Sequence, residues 1–96
     1  MFIAVNRISA PKEAIERMTE AFRRNAASLK DFEGFIAFEL WRGDDGLEAV
    51  SKWESREAFD AWRSSDNFLA SHAGARGGQG GGASATYYDG EVMAER

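Results

Sequence analysis

The chain opens in alternation. Across residues 2–8, Phe2, Ala4, Asn6 and Ile8 fall on one side of an extended backbone, with Ile3, Val5 and Arg7 on the other, which predicts a strand. Ser9-Ala10-Pro11 predicts a helix start, with a hydroxyl cap and a proline in the first turn. The period then lengthens. Ile15, Met18, Phe22 and Leu29 form one stripe of a 3.6-residue repeat, opposite a solvated side of Lys12, Glu16, Glu20 and Arg23. This helix is expected to reach about residue 29. A turn near Asp31–Gly34 leads into a second strand, Phe35–Arg42. Gly43-Asp44-Asp45-Gly46 is dense in turn formers and predicts a hairpin onto a third strand, Leu47–Trp53. Ser55 is placed to cap a short helix with Phe59 and Trp62 facing inward. Ser64 or Ser65 starts another, holding Phe68, Leu69 and His72 and ending at Gly74. Six of the nine residues 74–82 are glycine, a loop too flexible to fold unaided, and Ala85–Met93 predicts the fourth strand.

Strand, helix, two strands, two short helices and a strand, in that order, predict one α+β domain over residues 1–96. The expected architecture is a ferredoxin-like antiparallel sheet with its helices on one face. The other face would carry Ile3, Val5, Ile36, Phe38 and Leu40, and a second copy of the chain is expected to cover it, making a homodimer. Size points the same way. A chain of 96 residues buries only about 60–65% of its unfolded surface, so a partner or ligand adds stability.

Charge narrows the partners. The net charge is −4, and no basic cluster exceeds the pair Arg23–Arg24, which argues against a nucleic-acid footprint. No apolar run is long enough to span a membrane, and the N-terminal residues lack the pattern of a signal peptide. There is no cysteine, hence neither disulfide nor thiolate ligand, and a cytoplasmic protein is expected. The nucleophile elbow G-x-S-x-G is absent, and the glycine run lacks the Lys-Ser/Thr ending of a phosphate loop.

Three residues stand out from this frame. Asn6 sits on a strand face otherwise made of Phe2, Ala4 and Ile8, where an amide without partners costs about 1–3 kcal/mol. Either neighbouring groups satisfy it or a ligand does. His72, the one histidine, shares a helix face with Phe68 and Leu69. It reads as a satisfied or exposed residue, or as an axial ligand for haem iron, for which one neutral imidazole is enough. A structural zinc site would need four ligands of Cys or His type. Trp62 reads as core, or as a rigid indole against a flat ligand.

Taken together, these residues resemble a family. Asn6-Arg7 ending the first strand, Glu33-Gly34-Phe35 before the second, and Trp53-Glu54-Ser55-Arg56-Glu57-Ala58-Phe59-Asp60-Ala61-Trp62 resemble the antibiotic-biosynthesis-monooxygenase superfamily. Ser65-Asp66, Phe68 and Ser71-His72 then resemble its Isd-type haem-degrading monooxygenases. The likeness covers Phe2 to about Arg76 and the last strand. It implies a dimeric α+β barrel and roles carried over singly. His72 would hold the haem iron, and Asn6 would be the distal amide that hydrogen-bonds to oxygen. Trp62 would push the porphyrin out of plane, and Phe22 would line the haem pocket. Haem would be both substrate and cofactor, attacked with dioxygen and with electrons from a reductase or other external donor. Three rival readings keep the same fold: a cofactor-free monooxygenase of a polyketide or quinol, a haem-binding or haem-shuttling protein without turnover, and a structural dimer whose pocket is only a packing defect.

Overall fold

The computed structural model describes residues 1–65 and 83–96. The chain runs β1 (Phe2–Ser9), α1 (Lys12–Ala26), a 3-10 turn (Ala27–Asp31), β2 (Phe35–Arg42), β3 (Gly46–Trp53), α2 (Arg56–Arg63) and β4 (Ala83–Asp89). The four strands pair antiparallel in the order β2-β3-β1-β4, the ferredoxin-like arrangement, with both helices packed on one face. The predicted second short helix with Phe68, Leu69 and His72, and the glycine-rich loop 74–82, lie outside the described residues. Among those described, no helix is long and apolar enough to cross a membrane.

Local chemistry explains the elements. α1 begins after Pro11 without any side-chain cap, so the expected hydroxyl cap at Ser9 is not made; the carbonyl of Pro11 instead accepts from the Ala14 amide at 2.9 Å. Its inner stripe includes a polar member. Thr19 is buried and donates its hydroxyl to the Ile15 carbonyl at 2.8 Å, which removes the cost of burying it. The α-helix stops at Ala26, short of the expected end, and the tighter 3-10 turn that follows carries Leu29 into the core, where it is 5% exposed. α2 is capped as its sequence predicts: the Ser55 hydroxyl accepts from the Ala58 amide at 3.2 Å. β4 spans Ala83–Asp89 rather than the expected 85–93, because its pairing with β1 ends at Phe2 opposite Asp89.

One correction follows from a bulge. The β2–β3 register slips between Phe35 and Ala37, so Ile36 is an extra residue and every later side chain of β2 changes face. Phe38 and Leu40 therefore stand opposite Ser51 and Ala49 on the inner, helix-covered face, not on the open face where strict alternation put them. The open face carries Ile3, Val5, Val50, Trp41 and Tyr88, with Ile36 46% exposed at the bulge. There Lys52 and the Trp41 indole both donate to the Glu39 carboxylate, at 2.9 and 3.0 Å, and hold its pKa below the ordinary carboxylate range.

The core lies between the inner face and the helices, centred on Trp53, which is fully buried, with Ala4, Leu29 and Phe59 around it. Phe35 meets the Trp53 ring edge-on at 5.3 Å, and Trp62 stacks on it at 5.3 Å and 28°. Gly34 lets α2 approach β2. Its φ is +85°, its carbonyl accepts from the Glu54 amide at 2.7 Å, and a Cβ there would lie 2.5 Å from Ala58 Cβ. Gly34→Ala should therefore suffer twice, from backbone strain and from overpacking, each about 1–3 kcal/mol. A urea titration should show a lowered midpoint with unchanged slope.

Candidate functional site

The site is built from what the strands leave out. On the inner face, Asn6 of β1 stands between Ala49 of β3 and Ala85 of β4, and the next row places Ser51, Ala4 and Tyr87 side by side. Methyl groups neither reach over Asn6 nor bond to it. The Asn6 amide makes no side-chain hydrogen bond among the described residues, and it opens into a cleft between sheet and helices. The cleft holds a cavity of about 240 Å³ with its mouth open to solvent, a little below the range usual for small-molecule sites, about 300–1,000 Å³.

Aromatic rings make the walls. Phe22 comes from α1 and lies 5.9 Å from Phe38 of β2. Phe59 and Trp62 come from α2, one turn apart, and Tyr87 of β4 faces Phe59 at 5.8 Å. Trp62 is held at the end of its helix. Behind it is the Trp53 ring, and its carbonyl accepts from the backbone amide and the hydroxyl of Ser65, at 2.9 and 2.6 Å. Indole displacement would thus require disturbing the core. The rim is polar: Asn25 and Ser28 follow from the end of α1 and the 3-10 turn, and Arg63 ends α2.

Of the residues expected to act together, Asn6, Phe22 and Trp62 line this one cleft. His72 lies outside the described residues. Among the lining residues that escaped the sequence reading are Ser51 and Arg63, beside Asn25, Ser28 and Tyr87. Ser51 is 5% exposed, and its hydroxyl has no hydrogen-bond partner among the described residues. Its signal was available, since Leu47, Ala49, Ser51 and Trp53 share one parity and the serine is the polar member. Arg63 carried no such signal, because a basic residue in a helix's last turn is ordinary complementarity to the helix dipole. A mostly apolar floor whose amide and hydroxyl lack partners among the described residues, aromatic walls and a polar rim suit a flat, largely apolar molecule with polar ends.

Comparison with known proteins agrees with that shape. The profile of the family "Antibiotic biosynthesis monooxygenase" matches residues 1–74. A haem oxygenase (mycobilin-producing) of Mycobacterium tuberculosis is 34% identical over 77 residues, covering 77% of this chain and 72% of that one. A haem-degrading monooxygenase of Listeria monocytogenes is 36% identical over 84 residues, covering 75% of this chain and 69% of its own length. Among solved structures, the haem degrader MhuD of Mycobacterium tuberculosis, with two haems bound in its active site, superposes with a TM-score of 0.73 at 30% identity. That match covers 100% of this chain and 99% of that one. The chain belongs to the antibiotic biosynthesis monooxygenase family, and its sequence groups it with the haem-degrading monooxygenases there.

Proposed function

We propose that this chain binds haem in the cleft over its inner sheet face and opens the porphyrin ring. Dioxygen is the oxidant, an external donor supplies the electrons, and iron is released. The observation that carries the reading is the Asn6 amide, which has no hydrogen-bond partner among the described residues and stands between Ala49 and Ala85 at the floor of an aromatic cleft. A wholly apolar ligand would leave that amide unsatisfied, at a cost of about 1–3 kcal/mol. A flat macrocycle with a polar event near its centre uses both features. The named activities of the Mycobacterium and Listeria relatives support the same choice.

Each residue then has a physical task. His72 supplies the neutral imidazole that ligates the iron, the one such group in the chain. Asn6 would donate its amide hydrogen to dioxygen. Trp62, backed by the buried Trp53, would set a rigid indole against the porphyrin and distort it, and Phe22 of α1 would line the same pocket. Haem brings the redox chemistry, while the protein orients it and excludes water. A second copy of the chain is the proposed cover for the open face, where Trp41 and Tyr88 are 50% and 53% exposed.

The test is haemin titration followed by turnover. The protein should develop a sharp Soret band that decays when ascorbate and air are added, with iron appearing to a ferrous chelator. A Soret band that persists under those conditions would leave a haem carrier. No band at all would return the chain to cofactor-free oxidation of an aromatic substrate.

A further inference from the structure

We propose that Arg63 determines which end of the ligand enters the cleft and which ligands are accepted, by pairing with a carboxylate at the rim. In the haem reading, on which this rests, that carboxylate is a propionate. The chain carries 16 acidic and 12 basic residues, yet Arg63 is the one charged side chain lining the cleft among the described residues, and it is a cation. Two other arginines of the helices have local acidic partners. Arg56, on the same helix, has Asp60 at 3.7 Å, and Arg23 is paired with Glu20. No carboxylate among the described residues pairs with Arg63, although Asp60 lies only three residues before it. What holds Arg63 is a ring: its guanidinium carbon lies 6.0 Å from the centroid of Phe59, itself a wall of the cleft.

The placement fits an anionic edge. Arg63 follows Trp62 directly and is exposed at the rim, whereas Phe59 and the floor residues Ala4, Ala49 and Ser51 are buried. A planar ligand lying along the aromatic walls would bury its apolar face below and leave its charged substituents at the height of Arg63. There the neutral donors and acceptors of Asn25 and Ser28 line the same opening. The guanidinium fork matches a carboxylate bidentately, and its stacking on Phe59 limits the freedom lost when the pair forms.

The experiment compares haemin with haemin dimethyl ester, in which both propionates are esterified, by Soret titration at two salt concentrations. Wild type should prefer haemin to the ester, and the preference should shrink as salt rises. Arg63→Gln should weaken haemin binding about tenfold or more, leave ester affinity unchanged, and so erase the preference; Arg63→Lys should recover part of it. Circular dichroism establishes that both variants are folded. Equal haemin affinity in Arg63→Gln, or equal losses for haemin and ester, would overturn the assignment of Arg63 while leaving haem binding intact. A wild-type protein that takes up neither ligand would overturn both the assignment and the reading beneath it.

Discussion

His72→Ala is expected to lose haemin affinity by at least about 100-fold. That is the top of the range measured when only a supporting partner of a metal ligand is removed, and here the ligand itself goes. The chain has no cysteine and no second histidine to take over the iron. The variant should show the broad spectrum of free haemin where the wild type shows a sharp Soret band. Millimolar imidazole added to it should restore the band, because the missing group is then supplied from solution. Circular dichroism should be unchanged. A spectrum identical to wild type would remove His72 from the iron and with it the proposed geometry.

Ala49→Leu should weaken binding by a different route. Ala49 pairs with Asn6 across the β1–β3 ladder, and its methyl group forms floor rather than packed interior. A leucine there would project into open space, so the fold should tolerate it far better than it would an enlarged side chain in the dense core around Trp53. The volume it fills is the volume a ligand needs beside the amide. Haemin affinity should drop about tenfold or more while the melting temperature moves by only a few degrees. Undiminished binding would mean that the ligand sits elsewhere than over the inner face.

Much of this site was legible because strand alternation is a strict rule. Phe2, Ala4 and Ile8 mark Asn6, by parity alone, as a polar group on a buried face. The Gly43–Gly46 hairpin and the Ser55 cap were legible for similar reasons, since the backbone demands those residue types locally. Strictness also caused the main error. One unsignalled extra residue, Ile36, reversed the parity of β2 and turned Phe38 from an outer residue into a wall of the cleft. Ser51 obeyed the same alternation as Asn6, yet a small hydroxyl is so often satisfied locally that it drew no notice. The Trp53–Trp62 stack and the seat of Arg63 over Phe59 depend on tertiary neighbours, and no periodicity encodes them.

The position of β4 in the chain has a consequence for the timing of ligand capture. β4 brings Ala85 and Tyr87 to the cleft by pairing with β1, from which it is separated in sequence by β2 and β3. A nascent chain that has formed β1 to β3 and α2 therefore displays the floor but lacks one side of the enclosure. Contacts so distant along the chain close late, at a high entropic cost. On the proposed reading, the pigment would be gripped only once that seam is zipped, and uptake of colour would double as a report that folding has finished.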